Sequence, residues 1–289
     1  AILVNSMFIS YLLFFLLTGY ILISFVDFPR ERIYHNMILF TSIAFILVSI
    51  KENPKQLRIN GGIFSTVGII SGLLAIVIGV KRYQGEVHTK KAIQAQSMKN
   101  WMRMEKECQK AESAFYKIDP FSAPIKWYEG VAAYALGKKE KAKADFEKAY
   151  EVHPYHVHVL NNLGTSYEKS GDHKKAISFY KKAIKIAPHF EESLLNLSAV
   201  YFNLGETDSA YNTISKAYFN PNNERYKKYL LAILNAKLDM KTNIPESANE
   251  QIRTDEQLLL DIFQQIQTKN ISFEQSFLQR VKPMGIDSL

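Results

Sequence analysis

Three histidines lie close together near the middle of the chain, and histidine is a common ligand of zinc. His153, His156 and His158 fall within the six residues HPYHVH. A zinc site takes most of its four ligands from histidine, cysteine or carboxylate side chains, and this segment contains neither of the latter two. His153 and His156 also flank a turn at Pro154. We therefore predict solvated loop histidines and no metal ion.

The residue patterns that carry catalysis are missing from the sequence. It contains no nucleophile elbow, no glycine-rich phosphate loop, no HExxH motif and no pair of carboxylates at a suitable spacing. The single cysteine, Cys108, cannot form a disulfide within the chain or build a thiolate metal site. We expect no catalytic residue and no cofactor in this chain.

A set of polar and aromatic side chains is instead spaced for binding. His158 and Asn162, like Glu192 and Asn196, are four residues apart and share one face of a helix. Asparagine at such a place grips the backbone of a bound peptide or is a common residue without a role. The aromatic candidates bind a sugar or peptide, or pack between helices. The candidate partner-binding residues are Trp127, Tyr134, His158, Asn162, Glu192, Asn196 and Phe202.

Composition divides the chain into two parts that need different solvents. Of 36 basic and 28 acidic residues, only five and three fall within Ala1 to Val80, which is overwhelmingly apolar. Lys81 to Leu289 is rich in lysine, glutamate and asparagine. The formal net charge of +8 is too small, and too little interleaved with aromatics, to indicate nucleic acid. We predict no nucleic-acid partner.

The apolar part has the pattern of membrane-spanning helices. The runs Ala1 to Val26, Ile33 to Ile50 and Ile59 to Val80 carry no charge, and about 20 apolar residues span a bilayer. We predict three transmembrane helices at about 6–26, 33–50 and 60–80, within a transmembrane segment 1–80. Because the chain starts with Ala1 inside an apolar run, we expect it to be the C-terminal part of a longer protein.

Charge counting leaves the orientation of these helices nearly open. Lys51, Lys55 and Arg58 mildly favour a cytoplasmic second loop, which places the C-terminal part on the opposite side. The basic residues from Lys81 to Lys91 favour the reverse orientation.

The loop FVDFPRERIYH, Phe25 to His35, resembles an element in the last spans of bacterial O-antigen ligases and polymerase-type membrane glycosyltransferases. The resemblance implies a periplasmic loop, a periplasmic C-terminal part, an inner-membrane location and a parent protein that transfers a glycan from a polyprenyl-pyrophosphate carrier. That family's functional arginines and histidines sit in large loops that Ala1 to Val80 lacks, so no catalytic residue is carried over. Arg30 and Arg32 either contact a lipid-linked pyrophosphate or anchor the loop at the interface.

The second part repeats with a period of 34 residues. Gly130, Gly137, Ala142, Phe146 and Ala149 recur 34 positions later as Gly164, Gly171, Ala176, Tyr180 and Ala183. A third unit supplies Ser198, Gly205, Ala210, Ile214 and Ala217. The small residues suit close helix crossings, and the glycines suit left-handed helix ends. This pattern resembles the tetratricopeptide repeat, which implies an all-α solenoid with a concave binding face.

The repeat pattern also sets the predicted boundaries. We predict a degenerate juxtamembrane repeat at 81–122, with Cys108 facing inward, and regular repeats with a closing helix at 123–240. Arg225, Lys227 and Lys228 then form the polar outer edge of that closing helix. A polar helical tail follows at 241–289, with helices from Glu246 to Gln267 and from Asn270 to Leu289, and Met284 to Leu289 mobile.

Together these observations predict a membrane-anchored tetratricopeptide scaffold, three transmembrane helices followed by an α-solenoid. Its expected partners are a protein or peptide in the groove, the lipid bilayer and, through the parent protein, a lipid-linked glycan. The alternative is an unrelated membrane protein whose cytoplasmic repeats recruit a soluble partner.

Overall fold

Antiparallel helix pairs build the part of the chain that the structure, a computed structural model, describes: residues 61–240, 250 and 252–282. Contacts divide the chain into two units, Ala1–Leu74 and Ala75–Leu289, and the helix pairs belong to the second. The helices are α1 (Gly61–Ser97), α2 (Trp101–Ala111), α3 (Ile125–Ala135), α4 (Lys139–Val152), α5 (Val157–Lys169), α6 (His173–Ile186), α7 (Glu191–Asn203), α8 (Thr207–Ile214), α9 (Glu224–Asp239), α10 (Glu256–Lys269) and α11 (Phe273–Val281). Within these ranges there is no strand, only two isolated β-bridges, and the predicted all-α solenoid is confirmed.

Tight turns join the two helices of the first four pairs. Gly171 ends α5 with a φ of +81°, and the amide N of Asp172 donates to the carbonyl O of Tyr167 at 2.9 Å. Asp172 then accepts from the amide N of Lys175 at 3.1 Å and so caps α6. Between α1 and α2, Lys99 takes the left-handed position with a φ of +54°, and Asn100 is the cap. The same local device therefore reverses the chain in the first pair, without a glycine.

The two helices of a pair cross where the first helix has almost no side chain. A Cβ atom on Gly164 would lie 2.5 Å from the ring of Tyr180 on α6, and one on Gly130 would lie 2.6 Å from the ring of Phe146 on α4. Ala142, Ala176 and Ala210 on the second helices are completely buried. These contacts hold each pair together as the repeat pattern predicts.

The first pair uses different residues for the same contact. Ala92 and Ala95 on α1 and Ala111 on α2 are buried in one cluster with Met104 and Cys108. Burial raises the pKa of the Cys108 thiol to about 12. The thiol is therefore protonated at neutral pH and acts as a small apolar side chain.

The C-terminal helices, predicted as a polar helical tail, pack against the stack with an apolar face. Leu259, Ile262 and Phe263 of α10 and Phe273 and Phe277 of α11 share one apolar cluster with α7, α8 and α9. The side-chain amide of Gln267 donates to the carbonyl oxygens of Ser215 and Ala217, at 3.1 and 2.8 Å. These contacts close the end of the stack.

The predicted helix from Glu246 to Gln267 is interrupted. Asp255 is not helical, and its carboxylate accepts from the amide N of Leu258 at 2.9 Å, which starts α10 at Glu256. Asn270, with a φ of +51°, ends it. Residues 246–249 and the terminal residues Met284 to Leu289 lie outside the described part.

The prediction of three membrane-spanning helices is not supported. No helix within the described residues combines the length and the apolar character that crossing a bilayer requires. The predicted spans 6–26 and 33–50, with Arg30 and Arg32, lie outside those residues. The predicted span 60–80 overlaps the start of α1, but α1 continues through Lys81 and Arg82 and enters the first helix pair.

An ion-pair network joins α2, α3 and α4. The carboxylate of Glu129 accepts hydrogen bonds from the ammonium groups of Lys126 and Lys141, each at 2.6 Å. Lys141 Nζ also lies 3.2 Å from a carboxylate oxygen of Glu105 and 2.8 Å from one of Asp145. Burial alone would raise the pKa of Glu129, but hydrogen bonds from the two lysines and Gln109 outweigh burial and hold that pKa below its usual 4.5. The same balance lowers the pKa of Glu105.

We predict that this network makes folding stability depend on pH in the acidic range. The pKa of Glu129 is lower in the folded chain than in the unfolded chain. Its contribution to folding stability is therefore complete above the unfolded-state pKa of 4.5 and is lost as the pH falls through the folded-state pKa. Denaturant unfolding at a series of pH values should show this loss, and Glu129→Gln should make it smaller. Glu140→Gln, at an exposed position on α4, is the control and should leave the pH profile unchanged. Parallel profiles for all three proteins would contradict the assignment.

Candidate functional site

The first helices of four successive pairs line one groove. Its main cavity, of about 360 Å³, takes every lining residue from α3, α5, α7 and α9. This follows from the stacking, because equivalent first helices lie side by side and present the same face. The lining residues are Tyr134, Asn161, Thr165, Glu168, Lys169, Glu192, Asn196, Ala199, Arg225 and Tyr229.

A smaller, mostly apolar cavity of about 180 Å³ adjoins the main one at Tyr134 and Thr165, which line both. Val131, Phe146 and Asn162 complete its wall. Tyr134 is 40% exposed and stands at the border of the two cavities. The groove therefore offers an apolar pocket beside a polar one.

A ladder of hydrogen bonds crosses the floor of the groove. The side-chain oxygen of Asn161 accepts from Ser193 Oγ at 3.0 Å and from Asn196 Nδ2 at 2.9 Å. The guanidinium of Arg225 donates to the side-chain oxygen of Asn196. Asn161 and Asn196 are each 8% exposed, and Ser193 is fully buried. These bonds join α5, α7 and α9, so the two amides are committed to holding the helices in register.

Asn162 differs from its neighbour Asn161. Its side-chain oxygen has only a long contact of 3.4 Å from Asn161 Nδ2, and its own Nδ2 has no acceptor within the residues that the structure describes. It is half-buried and lines the apolar cavity. An amide donor at the wall of a groove is suited to the backbone carbonyl of a bound chain.

Opposite charges lie at separate places along the groove. The guanidinium carbon of Arg225 lies 5.8 Å from the centre of the Tyr229 ring. On α5, Glu168 accepts a hydrogen bond from the Tyr180 hydroxyl at 2.9 Å, and Glu192 on α7 is exposed. Burial raises the pKa of Tyr180, so the phenol remains a neutral donor. The groove therefore presents charged, polar and apolar side chains.

The seven predicted binding residues separate into two groups. Tyr134, Asn162, Glu192 and Asn196 line the cavities. Trp127, His158 and Phe202 are not among the lining residues.

Contacts with neighbouring side chains account for the position of these three residues. The Trp127 ring lies 4.8 Å from Tyr128 and 5.6 Å from His158, and His158 lies 5.0 Å from Phe190. Phe202 packs against the C-terminal apolar cluster. Trp127 and Phe202 are half-buried and fill contacts between helices, whereas His158 remains exposed.

The sequence interpretation missed several groove residues. Thr165 and Ala199 are 34 positions apart, and their counterpart Val131 lines the apolar cavity, so the repeat spacing was a usable signal. Arg225 was predicted at the outer edge of a closing helix. The structure places it in the groove, because α9 stacks as a further first helix. The missed residues are Val131, Phe146, Asn161, Thr165, Glu168, Lys169, Ala199, Arg225 and Tyr229.

The histidine cluster packs around Trp127, and His156 is half-buried and not the solvated loop residue that the sequence predicts. His156 lies 5.5 Å from Trp127 and 5.7 Å from both His153 and His158, measured between ring centres. Its Nδ1 accepts from the amide N of Val159, which caps α5. Burial, with the two neighbouring histidines, lowers the pKa of His156 to about 4. No group of three potential ligands within the described residues is placed to hold a metal.

Comparison with known proteins identifies the repeat. Residues 158–190 and residues 129–156 each match a family described as tetratricopeptide repeat. The chain therefore contains tetratricopeptide repeats, which span α3 to α6 and their links. No curated protein matches the chain.

Several solved structures resemble the chain at low sequence identity. A tetratricopeptide repeat protein from Parabacteroides merdae is 16% identical, with 70% of this chain and 74% of that one covered and a TM-score of 0.46. MamA is 20% identical over 55% of this chain and 94% of its own, with a TM-score of 0.42. A thermophilic tetratricopeptide repeat protein of Thermus thermophilus is 15% identical, with 69% of this chain and 98% of that one covered and a TM-score of 0.43. None of these comparisons connects the chain with O-antigen ligases.

The two neighbouring asparagines give opposite predictions for stability. Asn161→Ala should lower the free energy of unfolding by about 1–3 kcal/mol, because it leaves Ser193 Oγ and Asn196 Nδ2 buried without their acceptor. Asn162→Ala should change it by less than about 0.5 kcal/mol. Urea denaturation followed by circular dichroism measures both. Equal losses in the two variants would show that the hydrogen-bond ladder does not hold the helices.

Proposed function

We propose that the chain is a protein-interaction scaffold whose groove binds an extended segment of a partner protein. The observation that carries the proposal is the groove itself, because four first helices contribute side chains to one continuous surface. Tetratricopeptide repeats are generally protein-binding modules, which supports the same function. Within the described residues we assign no catalytic role to any side chain.

The groove also suggests how the segment is held. The free Nδ2 of Asn162 donates to a backbone carbonyl of the bound chain, and the pocket beside Tyr134 receives an apolar side chain. Arg225 uses its remaining donors for a carboxylate of the ligand. A suitable ligand is a short extended peptide with one apolar anchor and one acidic group.

Selection from a phage-displayed library of random peptides tests this proposal. The full chain in detergent should select peptides that carry an apolar and an acidic residue. Asn162→Ala, Tyr134→Ala and Arg225→Gln should each weaken binding of a selected peptide about tenfold, which is about 1.4 kcal/mol.

Matched controls lie outside the groove. Tyr155→Ala replaces an exposed tyrosine of a link, and Lys228→Gln replaces an exposed cation on α9. Both should bind as the unchanged protein does in fluorescence anisotropy. Peptides that bind all five variants equally, or a selection that yields none, would contradict the assignment of the groove.

We further propose that the chain is the membrane-anchored, non-catalytic C-terminal part of an O-antigen ligase or polymerase-like protein, with its repeats in the periplasm. The support is in the sequence: the uncharged runs before Lys81 and the FVDFPRERIYH loop at Phe25 to His35. In this setting the groove holds a partner near the membrane-embedded reaction, which raises its local concentration. Arg30 and Arg32 then contact the lipid-linked pyrophosphate.

Labelling of an introduced cysteine in intact cells tests the location. Thr242→Cys, combined with Cys108→Ala, should react with a membrane-impermeant maleimide added outside the inner membrane. Unchanged Thr242 in the same background is the control and should give no signal. Labelling that requires permeabilisation of the inner membrane would favour the alternative, an unrelated membrane protein with cytoplasmic repeats.

A further inference from the structure

The helix stack has two edges that differ in kind. Tight turns at 98–100, 136–138, 170–172 and 204–206 lie on one edge. The longer links between pairs, at 112–124, 153–156, 187–190 and 215–223, lie on the other because successive helices are antiparallel. We call the second the link edge.

Exposed aromatic side chains concentrate at the link edge. Six aromatic residues are well exposed within the described part of the chain, and five lie on links or at the adjoining turn of α1: Tyr83, Phe115, Phe121, Tyr155 and Tyr218. The sixth, Tyr134, lies in the groove. Phe121, Tyr155 and Tyr218 are 82%, 71% and 71% exposed. So many exposed rings on one edge indicate a contact surface.

The aromatic row follows the repeat. Phe121 and Tyr155 are 34 positions apart, and a further 34 positions lead to His189, whose ring stacks on Tyr218 at 4.7 Å between centres. Each of three successive links therefore presents an aromatic ring at the same place. The spacing of the repeats sets the spacing of the rings along the edge.

Phe121 is held in its exposed position by a structured loop. The buried carboxylate of Asp119 accepts from the amide N of Phe121 at 2.9 Å and from that of Ala123 at 2.8 Å. Its second oxygen accepts from the Tyr128 hydroxyl at 2.9 Å. The loop is fixed, yet it directs a large apolar side chain to solvent.

Helix α1 leaves the stack at the same edge. Gly85 packs on the ring of Tyr116, which belongs to the first link, and His88 Nδ1 lies 2.7 Å from Oε2 of Glu107. This part of α1 therefore lies beside the first link. Residues before Gly85 extend past the link edge. There Ile76, Val77 and Val80 are exposed by 64%, 51% and 48%. Val80 lies only about 7.5 Å from Gly85 along the helix axis.

Exposed lysine and arginine side chains lie near the aromatic rings of the link edge. Lys117 and Lys216 are exposed on the links, Lys185 is exposed in the last turn of α6, and Lys81 and Arg82 are exposed where α1 emerges. Glu151, Glu192 and Glu224 are exposed anions near the same edge. Aromatic rings with lysine and arginine next to an apolar helix are the residues that proteins place at the interface of an anionic bilayer.

We propose that the link edge contacts the headgroup region of an anionic lipid bilayer, with Phe121, Tyr155 and Tyr218 directed into it and the lysines beside lipid phosphates. This lipid contact is separate from peptide binding in the groove. It is also separate from the proposed membrane anchor, although both require a bilayer. It orients the stack, because the tight turns then face away from the lipid and the groove runs along the membrane surface.

Contact quenching in vesicles tests this orientation. The full chain with Cys108→Ala receives a single cysteine at Tyr155→Cys or at Met102→Cys and is labelled with bimane. Met102 is the matched control, because it is 72% exposed on α2 next to the tight turn at 98–100. The vesicles contain phosphatidylethanolamine, phosphatidylglycerol and a lipid with a nitroxide on its headgroup. We expect the label at 155 to lose most of its emission and the label at 102 to keep it.

Flotation of the same samples separates the two proposals. A chain that floats with the vesicles while the label at 155 stays bright would overturn the lipid contact, leave the anchor intact and point to a protein on the link edge. A chain that does not float would overturn both the anchor and the lipid contact, while peptide binding in the groove would stand. Phe121→Cys repeats the measurement on a second link and should be quenched equally.

Discussion

The close crossing of two helices within each pair is the contact on which the rest of the described structure depends. Gly164 leaves no room for a side chain beneath the ring of Tyr180, and Gly130 does the same for Phe146. The crossing sets the antiparallel arrangement of first and second helices, and this arrangement places all first helices on one face. The groove and the link edge both follow from it, the first as that shared face and the second as the side where the pairs are joined.

Polar contacts between pairs then fix how the stack is aligned. The ion pairs around Glu129 join α2, α3 and α4, and the ladder through Asn161 joins α5, α7 and α9. Buried polar groups of this kind are costly when a partner is missing, so they favour one register over its neighbours. They also separate the residues of the groove into two groups. Asn161 and Asn196 hold the helices, and Asn162 and Tyr134 are the residues for which we propose ligand contacts.

The sequence predicted those features that depend on local spacing. The crossing residues and the left-handed turn at Gly171 are visible within one unit, and the 34-residue period is visible when successive units are aligned. Features that depend on helix rotation were not predictable, because adjacent residues point about 100° apart and the sequence does not show which face meets the neighbour. Trp127 therefore packs between helices, while Arg225 lies in the groove. The cap at Asp255 was missed because apolar residues continue on both sides of it.

The most direct test of this account is the stability of Gly164→Ala, measured by urea denaturation. The added Cβ meets the ring of the fully buried Tyr180 at 2.5 Å, so the free energy of unfolding should fall by about 1–3 kcal/mol. Gly171→Asn is the control. Its φ of +81° suits asparagine and nothing lies within 4 Å of the new Cβ, so it should lose less than about 1 kcal/mol. A Gly164→Ala variant as stable as the unchanged protein would contradict the central role of the crossing.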